Sequence, residues 1–257
     1  MLCLGEYMLA KFINWMNPLP DIKVQLQDKQ IAEQYKFWRI KMFVGMYIGY
    51  LMYYFTRKNL SYAAPSLMNE LGITKMNFGI LGSIMYVTYG IGKFASGMLA
   101  DKCNIRTFMA FGLIGSSIIN IFFGFLPSFP LLAFFWGING GLQSMGFPPM
   151  AKGVVYWFSP NERGTVWTLF SSSKMAGIAL VGILAGFCIS AGCWRAAFYI
   201  PGILGLITGV WLLFTLTDKP SSVGLPPIEV YRKDILPVKK QSGFSHWQIL
   251  TKYVFAN

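Results

Sequence analysis

Acid is what this chain has least of: ten Asp and Glu stand against 22 Lys and Arg in 257 residues, with a single histidine. Charge of either sign is scarce, at 12% of residues, about half the share of an ordinary soluble domain, so a water-soluble globule is the first class excluded. The four cysteines, Cys3, Cys103, Cys188 and Cys193, show no metal-ligand spacing, and His246 lies in a polar tail. Neither a metal centre, nor a disulfide framework, nor any cofactor is implied. An apolar stretch near the start is interrupted by Glu6 and Lys11 and is followed by no small-residue cleavage site, so it does not read as a signal peptide.

Hydrophobic residues make up 54% of the chain and come in long runs. The net charge of +12 would suggest nucleic acid if the cations formed one polar face, but they fall in short blocks between the apolar runs. That is membrane topology. Crossing about 30 Å of hydrocarbon takes roughly 20 helical residues. Six runs meet this: Phe37 to Leu67, Met76 to Ala100, Arg106 to Leu126, Pro130 to Val154, Thr165 to Ser190 and Trp194 to Thr217. The expected fold is therefore an all-α membrane protein, a six-transmembrane-helix bundle over 37–217. Polar segments flank it at 1–36 and 218–257, and the stretch from Lys219 to Gly243 reads as a linker.

Lys and Arg number six before Met42, two in Asp101 to Arg106, two in Ala151 to Gly164 and six after Thr217, whereas the opposite connectors hold Lys75 and Arg195. By the positive-inside rule both termini are expected in the cytoplasm. Glycines at 137, 140 and 141, and at 177, 182 and 186, read as seams where helices approach closely. Pro148 and Pro149 remove two backbone donors and are expected to bend or open the fourth helix.

Four cations, Arg57, Lys58, Lys93 and Lys174, fall inside the expected spans, and all ten acids lie outside them or at their ends. A charge near mid-bilayer costs at least about 2.5 to 3.5 kcal/mol and requires a partner. The missing counter-charge is a ligand, backbone carbonyls, lipid phosphate or a second protein. At 1.5 Å per residue, Arg57 lies about 22 Å, Lys174 about 15 Å and Lys93 about 12 Å from the cytoplasmic ends of their helices. Lys58, turned about 100° from Arg57, is expected nearer the far surface or against a neighbouring helix.

Aromatics stand one and two turns back from each central cation: Tyr53 and Tyr50 behind Arg57, Tyr89 and Tyr86 behind Lys93, Phe170 and Trp167 behind Lys174. A tyrosine hydroxyl deep in a membrane needs a partner, which favours a polar cavity. Three converging cations suit a dianion, with Arg forking two oxygens and Lys acting as a point charge, so an organic phosphate is the expected ligand. An enzyme such as a membrane phosphatase would need a buried nucleophile and base; no intramembrane acid or His is available, and Ser171 to Ser173 read as helix packing.

Specific motifs now carry a resemblance. The run from Gly97 through Asp101 and Lys102 to Arg106 resembles the loop signature of the major facilitator superfamily between helices 2 and 3, with Asn104 where Gly is usual. Tyr53 to Asn59, Tyr89 to Phe94, Gly146 to Pro149, Asn161 to Gly164, Trp194 to Ala197 and Gly224 to Tyr231 are similar to segments of the organophosphate:phosphate antiporters. That family includes hexose-phosphate and glycerol-3-phosphate carriers and a related sugar-phosphate sensor.

The resemblance implies the amino-terminal half of a major facilitator fold, from about Phe37 onward, in a cell inner membrane. It implies exchange of an organic phosphate, hexose phosphate before glycerol 3-phosphate, for inorganic phosphate by alternating access between two six-helix bundles. The alternative within the family is a membrane sensor of external sugar phosphate. The position matching Arg57 binds phosphate, and those matching Tyr50, Tyr54, Tyr89 and Lys93 line the same cavity. Lys174 stands where several members have His, and Phe147 where Trp is common. Asp101, Lys102 and Arg106 match the loop that gates rocking. The segment to Asn257 looks like the approach to a seventh helix, so the expected partner, besides the bilayer and the two phosphates, is a second bundle.

Overall fold

The computed structural model describes residues 11, 14–24 and 27–234, and within them the chain is helical with no strand. The first helix, α1, runs Asp28–Leu71 and starts a good two turns before the expected Phe37, so part of the polar leader is helix. It stops at Gly72, whose φ of 63° is the left-handed turn that a glycine takes without strain. α2 (Lys75–Lys102) starts at Thr74, whose hydroxyl accepts the Asn77 amide. α3 (Ile105–Phe123) starts at Asn104, whose side chain accepts the Arg106 amide. Asn104 has an extended backbone (φ −69°, ψ 133°), so it replaces glycine as a cap and not as a left-handed turn.

The expected fourth helix is two pieces, α4 (Phe129–Gln143) and α5 (Phe147–Trp157), with the break just before Pro148 and Pro149. Pro148 and Pro149 offer no N–H to the carbonyls four residues back, and Gly146 sits under the ring of Tyr53, where a Cβ would come within 2.9 Å. α6 (Pro160–Ser190) opens on a proline in its first turn, and α7 (Ala196–Thr215) completes the bundle. Three of these, α3, α6 and α7, are by themselves long and apolar enough to cross a membrane.

α3 lies along α7, α1 along α6 and α7, and α2 along α4, while α1 and α2 scarcely touch. The glycine seams are real at four of the six positions. A Cβ on Gly177 would stand 2.6 Å from the Leu51 carbonyl oxygen, and Gly137, Gly140 and Gly182 are similarly tight, whereas Gly141 and Gly186 would place a Cβ in open space. Two apolar cores result. One gathers Met42, Met46, Met109, Trp157 and Leu212 towards the Asp101 end; the other gathers Leu67, Phe123, Trp136 and Phe198 towards the Glu70 end. Between them, on α1, α3 and α4, lies a buried polar layer.

From Asp218 to Asp234 the chain is not a free linker. A 3-10 turn (Pro220–Val223) and a short helix α8 (Ile228–Arg232) dock on the Asp101 end of the bundle, burying Leu225 and Ile228. Tyr231 stacks on Tyr35 with ring centres 4.2 Å apart, and the Tyr35 hydroxyl donates to the Pro226 carbonyl. The approach to a seventh helix, His246 and Cys3 all lie outside the described residues.

Candidate substrate site

Arg57 sits in the polar layer on α1 and is 9% exposed. Its Nε donates to the Gln143 side-chain oxygen at 3.0 Å and its Nη2 to the Gln143 backbone carbonyl at 3.4 Å. Gln143 is the last residue of α4, so the helix break before the prolines turns a terminal carbonyl, the negative end of the helix dipole, towards the guanidinium. Gln143 is itself locked. Its Nε2 donates to the Thr56 hydroxyl at 2.8 Å and to the Ser116 hydroxyl at 2.6 Å, and Ser116 donates to Asn139 at 2.7 Å. Asn120 donates to the Thr56 carbonyl at 2.9 Å and accepts from Asn59 at 2.7 Å. A satisfied network of this kind fixes its members, because leaving one buried group unpaired costs about 1 to 3 kcal/mol. Among the described residues it therefore holds Arg57 with no acid in contact.

The guanidinium is flanked by two tyrosine faces, with Cζ 4.3 Å from the Tyr89 ring centre and 4.8 Å from that of Tyr54. Tyr89 also lies 5.8 Å from Lys93 Nζ, which sits 4.7 Å over the ring of Phe147. Phe147 stacks on Trp167 at 5.7 Å, and both line a cavity of about 150 Å³ with Tyr50, Tyr54 and Lys174. Lys93 opens instead into a cleft of about 510 Å³ beside Asp101, Pro148 and Lys152. Lys93 and Lys174 thus line different cavities. Aromatic residues link the three central cations, with Tyr89 between Arg57 and Lys93, Tyr54 between Arg57 and the Lys174 cavity, and Phe147 bordering both spaces.

Two of the aromatics assigned by helical spacing belong elsewhere. Tyr53 is fully buried and donates to the Met109 carbonyl at 2.8 Å, so it packs α1 on α3. Tyr86 accepts from Lys58 at 3.1 Å, which places Lys58 against a neighbouring helix. Phe170 is buried against Phe43, at 4.8 Å, while still reaching the Lys174 cavity. The serine run bonds its own helix at Ser171 and Ser173, and Ser172 meets the Tyr47 hydroxyl at 3.0 Å.

At the loop between α2 and α3, Asp101 and Lys102 are exposed and Arg106 is half-buried. The residue that ties this corner is Lys152 of α5. It donates to the carbonyls of Ala100 at 3.2 Å and Cys103 at 2.7 Å, and pairs with buried Asp218 at 3.6 Å. Asp218 in turn accepts from the Ile105 amide at 3.3 Å, and its backbone carbonyl accepts from Trp157 at 3.0 Å. Burial pushes the neighbouring Cys103 thiol up.

The sequence profile of the Major Facilitator Superfamily matches residues 46–256. The chain is 44% identical to the "Probable hexose phosphate transport protein" of Chlamydia trachomatis serovar D, over 92% of this chain and 54% of that protein. It is 36% identical to the "Membrane sensor protein UhpC" of Salmonella typhimurium, over 90% of this chain and 53% of that one. A solved inward-facing bacterial homologue of the human lysosomal transporter Spinster superposes with a TM-score of 0.64 at 20% identity, over 72% of this chain and 44% of that structure, which concerns the fold alone. The chain spans about half the length of the curated relatives it matches. Profile, relatives and fold agree: the chain is an integral membrane protein, not an enzyme, and belongs to the major facilitator superfamily.

Proposed function

We propose that this chain forms one wall of a carrier site in which an organic phosphate, hexose phosphate first and glycerol 3-phosphate next, exchanges for inorganic phosphate. Transport is by alternating access against a second six-helix bundle, in a cell inner membrane with both termini in the cytoplasm. The observation that carries this is Arg57, buried, held by an amide and a carbonyl with no acid among the described residues, and aimed between two tyrosine faces. Among the described residues its Nη1 makes no hydrogen bond to protein, which leaves one end of the fork for phosphate oxygens. Lys93 and Lys174 add point charges from either side of Phe147. The loop of Asp101, Lys102 and Arg106 gates the rocking motion from the end tied by Lys152.

The test is Arg57→Lys in this chain fused to the carboxy-terminal half of a full-length relative. A point charge does not reproduce two-oxygen geometry, so affinity for hexose phosphate falls about tenfold or more. Wild-type affinity refutes the assignment.

A sensor is the second reading, supported by the likeness to the membrane sensor and by the folded 219–234 segment, which joins bundle movement to the end where a partner would dock. Ligand-dependent contact with a partner protein, without phosphate exchange in proteoliposomes, favours it; robust exchange rules it out.

A further inference from the structure

Away from the Arg57 site, two clefts meet on α1 at Ile40. The first, of about 350 Å³, has Lys36, Arg39 and Arg232 at its mouth and Phe43 and Phe158 below. The second, of about 380 Å³, is an apolar groove between α1 and α7, lined by Phe37, Val44 and Trp211, with Lys41 at its edge. At about 100° per residue, Phe37 and Val44 are turned some 140° to 160° from Arg57, so this groove faces out of the bundle. It continues an exposed apolar strip on α7 that includes Ile203, Ile207, Val210 and Phe214.

Charge decides the occupant. No acid is among the residues that line the two clefts; Glu162, beside the first, is already shared between Arg39 and Arg232, and Glu229, whose charge reaches Tyr35 in the wall of that cleft, lies 3.9 Å from Arg163. Glu33, exposed on the preceding turn of α1, lines neither cleft. Lys36 and Lys41 make no ion pair among the described residues; Lys41 rests 4.7 Å over the Trp38 ring. A cationic mouth opening onto an apolar trough at the membrane edge fits an amphiphile with an anionic head.

We infer that this corner is a binding site for an anionic phospholipid of the leaflet at the Asp101 end. The headgroup phosphate rests at Lys36, Arg39 and Arg232, and an acyl chain passes over Ile40 into the groove of Phe37, Val44 and Trp211. The lipid supplies counter-charge to a corner lined by four cations, of which Arg39 and Arg232 share Glu162 while Lys36 and Lys41 make no ion pair among the described residues, and it bridges α1, α7 and the docked α8.

The test is native mass spectrometry of the purified chain from mixed phosphatidylglycerol and phosphatidylcholine. Phosphatidylglycerol is retained in excess, and retention falls about fivefold for each lysine removed in Lys36→Gln and Lys41→Gln. Lys36→Arg keeps it. Both glutamine variants spare every ion pair of the corner, so folding is preserved. Lys23→Gln, an exposed lysine outside both clefts, leaves retention unchanged, and millimolar inorganic phosphate does not displace the lipid. Equal retention of the two lipids, no retained lipid, an equal loss in Lys23→Gln, or displacement by free phosphate each overturns the inference.

Discussion

The ends of this bundle and its middle handle positive charge in opposite ways. At the ends, acids meet cations: Arg39 and Arg232 share Glu162, Lys152 has Asp218, Lys219 has Asp21, and Arg195 has Glu70. In the middle, among the described residues, Arg57 meets an amide and a carbonyl, Lys58 a phenol, and Lys93 two aromatic faces. Ion pairs at the ends make fixed joints. Dipoles and rings in the middle hold the cations in place without neutralising them, which leaves their charge for a mobile anion. On the proposed function, the same residue types serve structure at one level and recognition at another, and the difference is whether an acid lies within reach.

Each half of that contrast can be attacked. The largest effect is expected at Asp218, which is 1% exposed beside a Lys152 that is 10% exposed. Asp218→Asn leaves a buried ammonium without its counter-charge and should lower stability by about 3 kcal/mol, read as thermal unfolding in detergent. An unchanged midpoint means the corner rests on the carbonyl contacts alone. A smaller loss is expected for Lys174→Gln, which removes one point charge from the cavity of Tyr50 and Tyr54 and should weaken hexose phosphate a few-fold without touching stability. If binding is unchanged, Lys174 is outside the site and the middle band holds two binding cations.

The smallest effect concerns pH at the other end. Trp194 and Arg195 donate to Glu70 at 2.5 and 2.6 Å, and these bonds hold its carboxyl below the usual carboxylate range. A lowered folded value means the clamp's contribution is present above the ordinary carboxylate pKa and is lost as pH falls through the lowered one. Trp194 fluorescence should therefore stay flat through neutral pH and change only on strong acidification. A transition near neutrality contradicts the clamp.

The contrast was half legible in the sequence. Composition and span length placed four cations inside the expected spans and all ten acids outside them or at their ends, because hydrophobic runs and charge are one-dimensional signals. Tyr89 does lie beside Lys93 as helical spacing suggested, and it flanks Arg57 as well; Tyr54, on the other side of Arg57, comes from the resemblance and not from spacing. Spacing could not say which neighbour claims a given ring, so Tyr53 and Tyr86, on the expected faces, are spoken for by Met109 and Lys58. The partner of Arg57 was missed, although a signal existed. Ser116 and Asn120, and Asn139 and Gln143, are polar pairs four residues apart on apolar helices, and such pairs line one face. The Lys152–Asp218 joint gave no such signal, since it closes across 66 residues of chain and depends on how α5 meets the end of α7. The docking of 219–234 was hidden for a related reason. Its Pro, Ser and charge read as a linker, and only Leu225 and Ile228 are buried hydrophobics.

Gln143→Glu tests the central claim most directly, because it gives the middle what the ends already have. A glutamate of the same shape still accepts from Arg57, and the Thr56 and Ser116 hydroxyls turn to donate to it, so the fold is kept. In the chain fused to a relative's carboxy-terminal half, binding titration should show hexose phosphate affinity reduced about a hundredfold, with the unfolding temperature preserved. Undiminished affinity in a folded variant would show that the ligand's charge is not met by Arg57, and the account would fail.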